Sequence, residues 1–214
     1  MAAGPSPVRL DPEVRERARR TLARRDPVLR PVIRRVGPCA LRPRPGPYRF
    51  LVRAVLYQQL AGKAAAAIER RVHAAFGGRV PPPEVLRDAP DALLREAGLS
   101  RQKTAALRSI AEAFAEGRVH PRRLRALDDA GVVEAVTTIR GVGEWTAHML
   151  LMTCLGRPDV LPVGDYGVRK AAQQLYGLAA LPGPAELQAV AEPWRPYRSV
   201  ASWYLWRSLD GRNP

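Results

Sequence analysis

The chain has 214 residues and carries 35 Lys and Arg against 20 Asp and Glu, a formal net charge of +15. So many cations cannot all be paired by those carboxylates, which favours a polyanionic partner, although Arg, Ala, Pro and Gly enrichment is also what a GC-rich genome produces. Cys39 and Cys154 lie far apart outside any CxxC, and His73, His120 and His148 lack ligand spacing; neither a disulfide framework nor a zinc site is indicated. No apolar run reaches membrane-spanning length and MAAGPSPVRLDPEV has no signal-peptide core, so the expectation is a soluble, cytoplasmic protein, nucleoid-associated if bacterial, with no membrane partner and no oligomer.

In chain order, residues 1–10 are small, Pro-containing and polar, and are expected to be flexible. Residues 11–214 read as one helical domain, with N- and C-terminal helices and a central lobe at about 48–165. DPEVRERARRTLARR has an Asp cap, Pro in the first turn and Val14, Ala18 and Leu22 at helical spacing. Asp26-Pro27 opens a second helix, with an apolar stripe from Val28 to Val36. Cys39 to Pro47 carries three prolines and predicts an extended linker. Tyr48 to Leu60 reads as a buried helix ended by Gly62, and KAAAAIERRVHAAF resumes the helical period to Phe76.

After GGRVPPP, a short helix is expected over Pro90 to Glu96, then a long one capped at Ser100 and ended by Gly117. Pro121 to Leu127 and Asp129 to Thr138 supply another short pair. A helix from Asp165 to Tyr176, an LPGP break and a segment from Ala185 to Leu209 interrupted at Pro193 and Pro196 complete the chain. No alternating pattern extends beyond a few residues, so the fold class is all-α.

The most informative stretch runs from Thr137 to Lys170. Ile139-Arg140-Gly141-Val142-Gly143 separates two helical runs, as a tight turn joining helices at a hairpin over 137–150 does. Its glycines allow close approach of a partner backbone, and the helix from Glu144 offers N–H groups and a positive dipole end suited to phosphate. Further on, LPVGDYGVRK sets Asp165 after a Pro/Gly break and before a basic helix. Taken alone, Asp165 reads more readily as an N-cap than as a catalyst.

In this order, IRGVGEWTAHML and LPVGDYGVRK, with the upstream VRAVLYQQLAGKAAAAI, resemble the helix-hairpin-helix (HhH-GPD) DNA glycosylases. Within them the alkylpurine branch, the 3-methyladenine DNA glycosylase II type, is the most similar, over about residues 26 to 209. The resemblance implies a two-lobed helical fold. About 45 residues precede Tyr48, fewer than members with an extra N-terminal β lobe need, so a short form without it is expected.

The resemblance also implies site residues. Asp165 becomes the catalytic carboxylate, and Trp145, Tyr57, Gln58 and Trp203 line the pocket for the extruded base. Gln59, with Leu60 as alternative, is the wedge that enters the duplex. Phosphate contacts fall to Gly141, Gly143, Thr146, Arg169, Lys170, Arg101 and Lys103. The backbone of Thr137, Ile139 and Val142 is where relatives hold a monovalent cation, Na+ or K+. No other cofactor is implied: the tail from Ala171 has no cysteine for an iron–sulfur cluster. Relatives that cut the strand carry a lysine two residues after the second hairpin glycine, where this chain has Trp145. The expected activity is therefore hydrolytic excision of alkylated purines from double-stranded DNA, leaving an abasic site. A glycosylase for mismatched or oxidised bases and a non-catalytic DNA-binding protein are the alternatives.

Overall fold

The computed structural model describes residues 9–44 and 46–210, and among these it contains helices and no strand. They fall into two compact units, one made from the chain up to Arg44 together with the chain from Leu151, the other from the residues between, ending at Leu150.

The first unit is built on α1 (Pro12–Arg25), α2 (Leu29–Val36), α11 (Tyr166–Tyr176), α12 (Pro184–Val190) and α13 (Arg198–Leu209). Helix α13 packs against α1, α2 and α11. Ser199, Val200, Ala201, Ser202, Tyr204, Leu205 and Ser208 are all buried, which makes it a central helix rather than an amphipathic surface one. Small residues let its neighbours approach, and each buried hydroxyl finds an acceptor: Ser199 on the Arg157 carbonyl at 2.7 Å, Ser202 on Arg198, Ser208 on Leu205 and Tyr204 on Gly37 at 2.8 Å.

A second anchor of this unit is Asp26, which is buried. Its Oδ1 accepts from the Val28 and Leu29 N–H groups, capping α2, and its Oδ2 accepts from the Tyr176 hydroxyl and the Trp194 indole. Asp26→Asn would turn an amide NH2 toward two donors, so we expect a loss of about 1–3 kcal/mol, read as a shifted denaturant midpoint at constant slope.

The second unit holds α3 (Pro47–Tyr57), α4 (Gly62–Ala75), α5 (Pro83–Arg87), α6 (Asp91–Glu96), α7 (Arg101–Ala115), α8 (Pro121–Ala126), α9 (Asp129–Thr137) and α10 (Glu144–Leu150). Helix α7 is its centre, burying Ala106, Leu107, Ile110, Ala111 and Ala113, and it packs against α3, α5 and α6. The Ser100 hydroxyl accepts the Lys103 N–H at its start.

Several expectations change. The central unit ends at Leu150, not at about 165, because the following residues are tied to both chain termini: Arg44 N–H donates to the Thr153 carbonyl and Val160 N–H to the Ser199 hydroxyl. Residues 1–8 lie outside the described residues, but Leu10 is buried and its N–H donates to the Gly156 carbonyl at 2.7 Å, so the expected flexible segment does not reach residue 10. Helix α3 stops at Tyr57, and Gly62 opens α4 instead of closing α3. Helix α5 was hidden in the PPPEVLR stretch, where Pro83 serves as a first-turn residue. The helix from Glu144 is followed by a π-helical stretch, Leu151–Leu155, which a 3.6-residue period does not reveal. The break before α13 consists of a short 3₁₀ turn, Glu192–Trp194, and a cis peptide at Arg195-Pro196. Cys39 and Cys154 are free and buried, and desolvation pushes both thiols up to about 11.

Candidate active site and nucleic-acid interface

In the first unit, Asp165 caps α11, with a backbone in the extended region and its Oδ1 accepting the Val168 N–H at 2.8 Å. The same oxygen accepts the Trp206 indole N–H from α13 at 2.9 Å. Cap and candidate catalyst are therefore one side chain, nine per cent exposed. Gly167 lets the indole in: a Cβ there would lie 3.1 Å from Trp206 Cδ1 and 3.2 Å from Asp165 Oδ1. Trp203, one helical turn earlier, is half-buried, packs edge-on against Tyr204 at 4.9 Å and has the Arg207 guanidinium 5.9 Å from its ring. Sequence reasoning singled out Trp203 and missed Trp206; the spacing i, i+3 on one helix was the available signal.

The two cations next to Asp165 are engaged within the unit. Arg169 Nε donates to the Pro182 carbonyl at 2.7 Å, and Lys170 Nζ to Gln173 Oε1 at 3.0 Å. Both are half-buried. Their expected phosphate contacts would need a change of partner.

In the second unit, Ile139 to Gly143 forms the hairpin turn, closed by the Val142 N–H on the Ile139 carbonyl at 3.0 Å. The two glycines answer different demands. Gly141 has φ +83°, and a Cβ there would sit 2.6 Å from the Ala106 Cβ on α7, so the fold itself requires glycine. A Cβ at Gly143 would meet nothing within 4 Å. Packing within the described residues gives no reason for a glycine there. Thr146, expected at phosphate, is buried on α10 and cannot present its hydroxyl to a backbone outside. Trp145, by contrast, is 44% exposed.

A cavity of about 500 Å³ opens beside this turn, lined in part by Gln58, Gln59, Leu60, Gln102, Arg140 and Gly141. Gln58, expected to face the extruded base, donates through Nε2 to the Gly141 carbonyl at 3.0 Å and so braces the hairpin. Gln59 has φ +57°, the one positive-φ residue other than glycine among the described residues. Such a conformation is uncommon for a side chain with a Cβ, and it turns the exposed Gln59 and Leu60 outward between α3 and α4. Arg101 is exposed at the start of α7. Lys103 is not: its ammonium donates to the Leu56 carbonyl at 2.6 Å, near the end of α3, and burial pulls its pKa down. The ammonium thus caps α3, and the expected phosphate contact would fall to its remaining donors.

Tyr57 is likewise committed. Its hydroxyl donates to Glu69 at 2.7 Å, while the Arg53 guanidinium, paired with Glu69 at 3.3 Å, covers the ring at 4.0 Å. One ring face is thus already occupied by a cation. Among the described residues, no three His, Cys, Asp or Glu side chains are grouped so as to hold a metal ion, and no helix is long and apolar enough to cross a membrane.

Comparison with known proteins places these features in a family. Residues 52–196 match the HhH-GPD superfamily base excision DNA repair protein. DNA-3-methyladenine glycosylase 1 of Schizosaccharomyces pombe is 37% identical over 164 residues, which span 76% of this chain and 72% of that protein. The structure of a DNA-3-methyladenine glycosidase from Bacillus halodurans superposes with a TM-score of 0.82 at 37% identity, covering 94% of this chain and 91% of the other. The S. pombe 3-methyladenine DNA glycosylase in complex with abasic DNA gives a TM-score of 0.79 at 34% identity, over 90% and 96%. On a match that takes in the hairpin, the Asp165 loop and most of the chain, this protein belongs to the HhH-GPD superfamily of base excision DNA repair proteins.

Proposed function

We propose that the chain is a monofunctional glycosylase that removes alkylated purines, 3-methyladenine and 7-methylguanine among them, from double-stranded DNA and leaves an abasic site. The observation that carries this reading is Asp165, a buried carboxylate with one oxygen held by two donors at the head of α11. Cleaving an N-glycosidic bond in a duplex first requires the nucleotide to be extruded, at a cost of a few kcal/mol. Departure of the base then leaves an oxocarbenium-like sugar. A fixed carboxylate stabilises that charge and orients or deprotonates the attacking water. An N3- or N7-alkylated purine is already cationic and leaves without protonation, so no general acid is needed; its charge also favours stacking on an electron-rich ring. Of the expected pocket side chains, Trp203 belongs to the same unit as Asp165.

The hairpin serves the phosphate backbone. Gly143, which no packing in the described residues demands, leaves room for a sugar–phosphate chain to approach. The exposed Gln59 and Leu60 are suited to fill the space of an extruded nucleotide. Thr137 ends α9, so its carbonyl is among those without an intrahelical partner, and the Ile139 carbonyl lies at the same negative helix end. These carbonyls and that of Val142 suit Na+ or K+, which would bridge the turn to a phosphate. No redox or zinc cofactor enters the reaction as we read it. The enzyme would work as a monomer in the cytoplasm, associated with the nucleoid if the source is bacterial.

Position 145 is tryptophan, so no lysine stands ready to attack C1′ from the hairpin and cut the strand. The expected result with methylated duplex DNA is release of free methylpurines, with strand breaks appearing only after alkali. Breaks without alkali would establish a lyase and overturn the water mechanism. Salt-sensitive DNA binding with no base release would favour another lesion as substrate or the non-catalytic alternative.

A further inference from the structure

We infer that Trp206 is a positioning residue for Asp165, acting through the carboxylate rather than on the DNA. A carboxylate oxygen offers two in-plane lone-pair directions. In Asp165 both directions of Oδ1 are used, by the Val168 N–H at 2.8 Å and the Trp206 Nε1–H at 2.9 Å. A capping bond alone leaves the carboxylate plane free to rock about its last torsion, which is broad for aspartate. A second donor from a different helix removes that freedom, and a reaction whose catalyst is a fixed charge depends on it.

The donor is itself rigidly mounted. Helix α13 is buried on nearly every side, and Ser199 and Tyr204 tie it to Arg157 and Gly37. The turn is shaped around the indole as well. Gly167 does not have a positive φ, so its backbone makes no demand for glycine, yet a Cβ there would crowd Trp206 Cδ1 at 3.1 Å, Nε1 at 3.4 Å and Asp165 Oδ1 at 3.2 Å. The absent side chain at 167 and the indole at 206 are two parts of one arrangement. It also places Trp203 one turn from the contact on the same helix, so the ring expected at the base and the ring that holds the carboxylate share one scaffold.

The kinetic test rests on the proposed glycosylase reaction, and a spectroscopic one does not. Trp206→Phe keeps an aromatic ring and removes the donor; Gly167→Ala keeps the donor and displaces it. With methylated duplex DNA and saturating enzyme, Trp206→Phe should lower the single-turnover rate of base release by about 10- to 100-fold, as expected for a lost hydrogen bond to a charged group, and Gly167→Ala, whose Cβ shifts the donor by a few tenths of an ångström, by less. Affinity for DNA containing an abasic-site analogue should stay within about twofold in both. A Trp206→Phe rate within about twofold of wild type, or losses confined to DNA affinity, would overturn the inference.

The chain has 4 tryptophans, so the indole N–H resonances of DNA-free, folded protein can be assigned. That of Trp206 should move clearly in Asp165→Ala, which removes the acceptor. An unmoved resonance would overturn the contact even if Trp206→Phe proved too unstable to assay. Were wild type to release no methylpurine, the functional reading would fall, and the resonance would still decide the positioning.

Discussion

Asp165→Asn should lower base release by about 10²- to 10⁴-fold, the range spanned by loss of a charge or proton acceptor at a reacting centre. The substitution preserves shape, and the amide oxygen can still accept from Val168 N–H and Trp206 Nε1. Asparagine is as good an N-cap as aspartate, so the capping of α11 should persist. DNA affinity should also persist, because the phosphate anchor proposed at the hairpin does not involve this side chain. The three readouts separate the two roles of this residue: a cap whose loss unfolds α11 would appear in stability, and a catalyst appears in rate. Undiminished release by Asp165→Asn would leave the residue a cap and remove it from the chemistry.

The second large effect is expected at the hairpin, where two glycines that look alike in the sequence should respond differently. Gly141→Ala forces a Cβ into a left-handed backbone and against Ala106 at 2.6 Å. Together these should cost about 2–4 kcal/mol of stability in the second unit, visible as a lowered urea midpoint. The Gln58 bond to the Gly141 carbonyl would be disturbed with it. Gly143→Ala meets nothing within 4 Å and should leave stability within about 1 kcal/mol of wild type. If the turn binds phosphate, that same mild variant should still weaken binding to damaged and undamaged duplex alike, since a phosphate contact carries no sequence information. Equal DNA affinity in Gly143→Ala and wild type would count against the hairpin as the anchor.

Much of this molecule was legible in the order of its residues. Caps at Asp11, Ser100 and Asp165, the apolar period of α1 and α7, and the Pro/Gly breaks locate most helices, because these signals act within a turn or two of backbone. The glycine turn with a downstream aspartate was enough to suggest the family. Less visible were features that depend on what lies across a unit. Thr146 and Lys103 look like surface polar groups in the sequence; one is buried on α10, and the other reaches back to cap α3. Gln58 belongs to the hairpin through a bond spanning 83 positions. None of these leaves a local pattern.

By itself, the sequence determined the helical class, the basic charge and the family, and it singled out Asp165 as the candidate carboxylate, because periodicity, composition and short motifs are local properties. Only the tertiary structure decided which tryptophan meets Asp165, which glycine the fold requires and which cations are already committed to carbonyls. Those outcomes depend on side chains distant in sequence meeting within hydrogen-bonding distance or van der Waals contact. Whether Trp203 or Trp206 donated to Asp165 turned on the rotation of α13 against α11, set by the packing of both helices and by the space left at Gly167.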